Sequence, residues 1–185
     1  MENIKLFCVS LGCDKNLVDT EKMLGLLNGQ GIIFTDDETE ADVILINTCC
    51  FIGDAKEESV NTILEMARYK EEGNLKALLV AGCLAQRYKQ EILDEIPEVD
   101  AILGTTSYEE VAKVLEQVLM GSSGIHLSCF RELSELPQVE ARRVVTTGGH
   151  YAFLKIAEGC DKRCTYCIIP YLRGPYRSVP IEQLV

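Results

Sequence analysis

Short apolar runs alternate with amphipathic stretches through the first 120 residues, and this alternation limits the possible fold more than any other feature. The runs at residues 4–9, 42–47, 76–81 and 100–103 have the length and composition of buried strands. Residues 32–34 are predicted to add a short strand. Strands that alternate with helices form an open parallel sheet with helices on both sides. We therefore expect an α/β fold with a Rossmann-like open parallel sheet.

Four helices are predicted to follow the strands, with expected ranges of 17–30, 54–70, 85–95 and 108–120. The second and fourth carry apolar residues at helical spacing, which predicts one buried face on each. Regular periodicity fades at Gly121, where glycine and serine mark a flexible connection. We therefore expect an α/β domain, a linker and a second unit that opens with a strand from Tyr151 to Ala157, with bounds of 1–121, 122–150 and 151–185.

Composition excludes several classes of protein. The chain has 185 residues, of which 47% are hydrophobic and 25% charged, as in an ordinary globular protein. No run of about 18 apolar residues is present, so no membrane-spanning helix is expected. A net charge of −11 disfavours a nucleic-acid-binding surface and suits a basic protein partner. Nine cysteines without a secretory signal predict metal or redox chemistry in the cytoplasm.

Cys160, Cys164 and Cys167 stand within eight residues, with the spacing C-x3-C-x2-C. Three thiolates on a short loop can bind three of the four irons of a cubane cluster, because sulfur ligands suit iron–sulfur chemistry. The fourth iron would stay open to another ligand, which is more typical of an enzyme than of an electron carrier. The alternative is a partial zinc site, but zinc prefers four ligands in paired C-x2-C motifs, and no Cys or His follows Cys167.

A second set of cysteines follows the predicted strands. Cys13, Cys49 and Cys83 each come one to four residues after a strand of the expected sheet. Loops at the carboxyl ends of parallel strands lie at one edge of the sheet, where ligands bind. We therefore expect these three cysteines to meet and to form a site. The alternative for each is a small buried hydrophobic residue, which is common for free cysteine.

The loop that contains Cys160 resembles the signature of radical S-adenosylmethionine (SAM) enzymes, C-x3-C-x-aromatic-C, with Tyr166 as the aromatic residue. The chain as a whole resembles the methylthiotransferases, which add a methylthio group to tRNA or to a ribosomal protein. The resemblance covers nearly the whole chain outside the linker. It rests on motifs in the family's order, namely Gly12-Cys13, Lys15-Asn16-Leu17-Val18-Asp19, Asn47-Thr48-Cys49, Ala81-Gly82-Cys83-Leu84, Tyr151 to Ile156, Gly159-Cys160, Cys164, Cys167-Ile168-Ile169-Pro170 and Arg173-Gly174.

This resemblance implies two 4Fe–4S clusters and SAM as cofactors. The ligands of an auxiliary cluster would be Cys13, Cys49 and Cys83. The ligands of the radical-SAM cluster would be Cys160, Cys164 and Cys167, and Tyr166 would lie near the SAM adenine. In the family, one SAM gives a methyl group to sulfur at the auxiliary cluster. Another SAM is cleaved to a radical that removes hydrogen from an unactivated carbon of the substrate.

The stretch from Gly12 to Asp19 resembles the RimO group, which modifies the β-carbon of an aspartate in a small-subunit ribosomal protein. The MiaB group, which modifies adenosine in tRNA, typically has Gln-Met where this chain has Asp14-Lys15. The resemblance therefore implies a basic ribosomal protein as substrate, with tRNA as the alternative. It also implies an electron donor such as flavodoxin or ferredoxin, no membrane, and no nucleic acid bound through this chain.

Expected roles also follow for the remaining cysteines and for three polar residues of the first helix. The resemblance implies Cys49 rather than Cys50 as the ligand, because Cys49 occupies the Asn-Thr-Cys position, with exchange between the two neighbours as the alternative. Cys8 is expected in the core, and Cys129 is expected to be a bystander in the linker. The side chains expected to cap the first helix, with a role at the cluster edge as the alternative, are Asn16, Asp19 and Glu21.

Residues 151–185 resemble only the first strand of a (β/α) radical-SAM barrel, whereas a full eight-unit barrel takes about 250 residues. The resemblance therefore implies an N-terminal fragment of a longer enzyme, with a truncated barrel and no catalysis by the fragment alone. Without their sheet partners, residues 151–185 are expected to be mobile or adventitiously packed. A stand-alone iron–sulfur module and a zinc-binding interaction domain remain as non-catalytic alternatives.

Overall fold

The described residues form a six-stranded parallel sheet. The computed structural model describes residues 3–121, 126–137 and 143–184. The strands are β1 (Ile4–Ser10), β2 (Ile32–Phe34), β3 (Val43–Thr48), β4 (Ala77–Gly82), β5 (Ala101–Leu103) and β6 (Leu127–Cys129). Their order in the sheet is β2-β1-β3-β4-β5-β6, and each neighbouring pair is parallel. The predicted α/β fold with an open parallel sheet is therefore confirmed.

Helices connect the strands and cover the sheet. They are α1 (Asp14–Leu27), α2 (Gly53–Ala67), α3 (Tyr69–Glu72), α4 (Cys83–Tyr88), α5 (Gln90–Glu95), α6 (Val111–Met120) and α7 (Ile169–Arg173). Away from the sheet, β7 (Ala157–Glu158) pairs antiparallel with β8 (Arg177–Ser178). Within the described residues, no helix combines the length and the apolar character needed to cross a bilayer.

Two apolar layers lie on opposite faces of the sheet. Val43 and Leu45 of β3 are fully buried in a layer with α1 and α6. Ile44 and Ile46 of the same strand are fully buried in a layer with α2, α4 and α5. Each such side chain stabilises the fold by about 1.5–3 kcal/mol. Because both faces are covered, the central strands are apolar at nearly every position instead of alternating.

Several predicted boundaries were wrong. The first helix begins at Asp14, three residues before the predicted start, and ends at Leu27. The third predicted helix is interrupted at Lys89, whose φ of +43° separates α4 from α5. The predicted linker contains β6, the last strand of the sheet, so Cys129 belongs to a strand rather than to a linker. Strand β6 has only three residues, too few to show the alternation of apolar and polar residues that predicts a strand. Residues 122–125 and 138–142 of that linker lie outside the described residues.

The strand predicted from Tyr151 to Ala157 is absent, apart from Ala157 in β7. A strand needs a neighbour for its backbone hydrogen bonds, and the described residues place no strand beside 151–156. The alternating apolar side chains of this segment are consequently exposed, with Tyr151, Leu154 and Ile156 each about 60% accessible. The described residues therefore show no radical-SAM barrel.

Candidate metal centre

Cys13, Cys49 and Cys83, hereafter the edge set, lie at one edge of the sheet. Their three strands β1, β3 and β4 are adjacent and parallel, so the loops after them share the carboxyl edge. Cys13 comes three residues after β1, while Cys49 and Cys83 directly follow β3 and β4. The structure thus collects residues that are more than thirty positions apart in sequence. Cys49 and Cys83 are buried, and Cys13 is exposed.

Asn16 connects the three loops of the edge set. Its side-chain amide donates to the carbonyl oxygens of Leu11 and Thr48, each at 2.9 Å. Its Oδ1 lies 3.9 Å from the Sγ of Cys83. Asn16 is completely buried, and a buried side chain with all its polar atoms engaged holds its neighbours in one arrangement. The prediction that Asn16 caps the first helix is therefore wrong, because it lies inside α1 and shapes the edge.

Gly12 allows the first loop to approach Cys49 closely. Its φ is +90°, and a Cβ at this position would lie 2.5 Å from the Cβ of Cys49 and 2.8 Å from its Sγ. Such distances are repulsive, so only glycine fits both the backbone conformation and the space. The loop that carries Cys13 is therefore packed directly against the Cys49 side chain.

The neighbouring cysteine Cys50 has a different environment. Its thiol donates to the backbone oxygen of Cys83 at 3.2 Å, and it packs in the apolar layer with α2 and α4. Burial raises the pKa of this thiol. The backbone of Cys49 is fixed separately, because the Ser59 hydroxyl accepts from its N–H at 3.0 Å and donates to its oxygen at 2.8 Å. The preference for Cys49 over Cys50 as ligand stays a prediction that this placement favours.

Cys160, Cys164 and Cys167, hereafter the loop set, lie on a turn between β7 and α7. The N–H of Cys167 donates to the oxygen of Cys164 at 3.0 Å, and the N–H of Cys160 donates to the oxygen of Gly174 at 3.1 Å. These bonds close the loop at both ends. Cys164 is exposed and the other two are half-buried, while Tyr166 is 88% accessible. The loop set therefore faces solvent, with its thiols reachable by a ligand.

A buried ionic cluster joins the segment of the loop set to α1. It consists of Asp19, Lys155, Glu158 and Arg173, whose side chains are each at most 5% accessible. Lys155 pairs with Asp19 and, at 2.8 Å, with Glu158. The Nη1 of Arg173 donates to Asp19 at 3.0 Å and to Glu158 at 2.8 Å. Residues 151–184 were expected to be mobile or adventitiously packed; the structure instead gives them four buried ion pairs.

The charges in this cluster stabilise one another. Burial alone would lower the pKa of Lys155, but Asp19 and Glu158 outweigh it and raise that pKa. Burial would likewise raise the pKa of Glu158, whereas Lys155 and Arg173 lower it to about 2. The pKa of Arg173 is raised against the effect of burial by Asp19 and other negative neighbours. Lys155, Glu158 and Arg173 are therefore ionised at neutral pH, and the cluster is a closed buried set of two basic and two acidic side chains.

Three further contacts hold residues beyond 142 on α1. Glu21 accepts from Arg143 Nε at 3.0 Å and from the backbone N–H of Thr146 at 2.7 Å. Lys15 donates to the oxygen of Ala157 at 2.6 Å. Asp19 and Glu21 were predicted to cap the first helix, which is wrong, because both lie in its middle and pair with the C-terminal residues. The partners of Asp19 and Glu21 are more than 120 positions away in sequence. Local sequence does not reveal such partners, so capping of the nearby helix start was predicted instead.

The donor atoms of both cysteine sets suit iron–sulfur chemistry. Thiolate ligands select iron–sulfur clusters or zinc, and each set offers three sulfurs on closely held loops. Among the described residues, no three Cys, His, Asp or Glu side chains converge so as to hold a single metal ion. A cubane is several atoms wide, and each of its cysteines binds a different iron, so its ligands need not converge on one point. Because Gly12 lacks a Cβ, the loop that carries Cys13 can lie directly against Cys49, so two donors of the edge set stand on loops in contact.

No particular role was predicted for Lys155 or Arg173. Both stand within the motifs that carry the family resemblance, but a basic residue in isolation gives no signal of its buried partner. A usable signal was the pairing of acidic residues in an otherwise buried helix with basic residues in an apolar segment. Buried charges are almost always paired, so Asp19 and Lys155 each predict a partner of opposite sign.

Fold and site together define an α/β protein with cysteines collected at the carboxyl edge of a parallel sheet. The model of the uncharacterized protein family UPF0004 matches residues 5–104, more than half of the chain, and the chain belongs to this family.

The chain is also similar to curated proteins named ribosomal protein uS12 methylthiotransferase RimO. The protein from Lachnoclostridium phytofermentans is 63% identical over 182 residues, which are 98% of this chain and 41% of that protein. The protein from Acetivibrio thermocellus is 51% identical over 185 residues, with 98% and 41% covered. The protein from Trichlorobacter lovleyi is 51% identical over 181 residues, with 98% and 40% covered. The chain thus spans about 40% of the length of these relatives.

Proposed function

We propose that this chain is part of a radical-SAM enzyme that transfers a methylthio group to the β-carbon of an aspartate in a small-subunit ribosomal protein. The observation that carries the proposal is the position of the edge set at the ends of three adjacent parallel strands, in a chain whose second three-cysteine loop belongs to a segment docked on α1. The names of the relatives support the reaction and a uS12-type substrate. The motif that follows Cys13 supports the protein substrate over tRNA.

The residues that would hold the cofactors follow from the two sets. The edge set would bind one 4Fe–4S cluster and the loop set another, with SAM at the second and Tyr166 beside its adenine. When bound, these groups supply the sulfur and the radical chemistry that no side-chain acid or base can provide at an unactivated C–H bond.

The chain's own residues position the two sets. Asn16 fixes the three loops of the edge set relative to one another through its bonds to Leu11 and Thr48. The buried ionic cluster docks the segment of the loop set on α1, which is the helix that begins directly after Cys13. Both cysteine sets are therefore held by the same helix. This common support is what an enzyme needs when two cofactors act on one substrate.

Partners of the proposed enzyme follow from charge and redox state. A net charge of −11 attracts a basic ribosomal protein and repels nucleic acid, because long-range electrostatics steer association. An electron donor such as flavodoxin or ferredoxin would reduce the cluster of the loop set. The cysteines are free thiols in the structure, as in the reducing cytoplasm, where this enzyme would act without a membrane.

A transfer assay tests the proposal. The whole protein that contains this chain is reconstituted anaerobically with iron and sulfide, then incubated with SAM, reductant and purified uS12. We expect mass spectrometry to find a methylthio group on one aspartate of uS12. The Cys13→Ala and Cys160→Ala variants should transfer none. The 185-residue chain, assayed beside them, is expected to be inactive alone. Modification of tRNA adenosine instead of uS12 would contradict the proposed substrate, and no modification of either would contradict the proposed reaction.

A further inference from the structure

Arg173 belongs to the buried ionic cluster and also bonds to Asn16, the residue that connects the loops of the edge set. Its Nη1 binds the carboxylates of Asp19 and Glu158. Its Nη2 donates to the Oδ1 of Asn16, and the same oxygen lies 3.9 Å from the Sγ of Cys83. The guanidinium is thus fixed by two anions on one side and faces the edge set on the other. Arg173 itself is 4% accessible, so water screens its charge only weakly.

The guanidinium of Arg173 and the Sγ of Cys83 share a neighbour, the Oδ1 of Asn16, so this positive charge is held near a sulfur of the edge set. In a buried site, a positive charge at such a distance favours negative charge at the sulfur. Arg173 also belongs to the segment of the loop set, because the next residue, Gly174, accepts from the N–H of Cys160 at 3.1 Å. One side chain thereby links the segment of the loop set, through Asn16, to the surroundings of the Cys83 sulfur.

We infer that Arg173 is a positioning residue that sets the reduction potential of the iron–sulfur cluster held by the edge set. The inference rests on the proposed function, since it needs a cluster at the edge. A cluster gains one negative charge when it takes up an electron, so a fixed positive charge nearby stabilises the reduced form. Net charge and hydrogen bonds to the sulfurs are what set such potentials. The carboxylates of the buried ionic cluster hold the guanidinium in place.

The test isolates the edge cluster and varies the charge. Cys160, Cys164 and Cys167 are replaced by Ala, so that iron binds at the edge set alone. Arg173→Met removes the charge, and Arg173→Lys keeps it. Arg143→Met is the matched control, because Arg143 also joins the C-terminal residues to α1 but bonds to Glu21 and Phe153. Iron content, circular dichroism and a redox titration followed by electron paramagnetic resonance are measured for each.

We expect Arg173→Met to lower the midpoint potential. At the potential where half of the parent clusters are reduced, the ratio of oxidised to reduced cluster in Arg173→Met should be about tenfold higher than in the parent. This ratio is equivalent to a shift of ~59 mV for one electron. Arg173→Lys should stay within about threefold of the parent, and Arg143→Met should not change. Equal midpoints in Arg173→Met and Arg143→Met, at equal iron content, would overturn the inference while leaving the proposed function intact.

Two further outcomes have a defined interpretation. If Arg173→Met fails to fold, the double variant Glu158→Gln/Arg173→Met removes one charge of each sign and keeps the buried balance. Its midpoint should still fall, because Glu158 pairs with Nη1 and not with the side that faces Asn16; an unchanged midpoint there would refute the role of Arg173. If the parent chain binds no iron at the edge set, the proposed function fails and the inference falls with it.

Discussion

At the scale of single residues, the arrangement of the loops of the edge set depends on the hydrogen bonds of Asn16. Asn16 illustrates the limit of sequence reasoning. Its position near the start of a helix suggested a cap, and a cap is satisfied by backbone N–H groups of the same helix. Its actual partners are Leu11, Thr48, Cys83 and Arg173. Three of the four are more than thirty positions away, and no local pattern reveals them.

Cys49 and Cys50 provide a test at adjacent positions. We expect Cys49→Ser to lose the edge cluster, about four irons per chain, because Cys49 lies directly against the loop that carries Cys13. Cys50→Ser should keep the iron, since a serine hydroxyl can donate to the same Cys83 oxygen that the Cys50 thiol contacts. Iron per chain after anaerobic reconstitution is the measurement. Loss of iron from Cys50→Ser with retention in Cys49→Ser would reverse the assignment.

Cys8 gives a pH-dependent test of its expected place in the core. It packs against the apolar layer of α1 and α6, and burial raises the pKa of its thiol to about 12. Only the thiolate reacts with alkylating agents, and an ordinary cysteine has a pKa near 8.5. In the metal-free chain at pH 8, Cys8 should therefore react roughly a thousandfold more slowly than a thiol of ordinary pKa, and more slowly than exposed Cys164.

The Cys8 rate should increase about tenfold for each pH unit up to about pH 11, because the thiolate fraction increases by that factor below the pKa. Peptide mass spectrometry of timed samples gives both rates. Equal rates for Cys8 and Cys164 at pH 8 would show that Cys8 is not in the core.

At the scale of elements, α1 is the support on which both cysteine sets depend. One side of α1 packs its apolar residues against the sheet, with Met23 and Leu27 fully buried. Its acidic residues Asp19 and Glu21 pair with residues beyond 142. The apolar side could be predicted from periodicity. The pairing of the acidic side could not be predicted from periodicity, because its partners lie in a segment with little helix or strand.

Removal of one charge from the buried ionic cluster should destabilise the chain. Lys155→Met leaves Asp19 and Glu158 with Arg173 as their shared cation. The loss of one partner from a buried ion pair lowers the free energy of unfolding by about 3–5 kcal/mol. The control is Lys5→Met, because Lys5 pairs with Glu40 at the surface, where ion pairs contribute little to stability. Urea unfolding of both variants gives the free energies. Equal values for the two variants would show that the cluster is not a closed buried set.

At the scale of the whole molecule, the open parallel sheet with helices on both sides was the part that the sequence predicted best. Runs such as 43–48 and 77–82 are apolar on both faces, and this requires helices on both sides of a parallel sheet. The position of Cys13, Cys49 and Cys83 at one edge of the sheet follows from this topology, and their binding of a cluster stays a prediction. Strand β6 and residues 151–156 were predicted poorly, because a three-residue strand has no period and an apolar segment needs a partner strand to form one.

The central claim is that this chain holds two independent sets of iron ligands on one helix-supported scaffold. The direct measurement is iron and sulfide per chain after anaerobic reconstitution, with absorption spectra, for the parent, Cys13→Ala and Cys160→Ala. We predict two clusters in the parent and the loss of one cluster in each variant. Binding of zinc without iron, or an unchanged iron content in Cys13→Ala, would contradict the claim and favour a zinc-binding interaction domain or a single-cluster module.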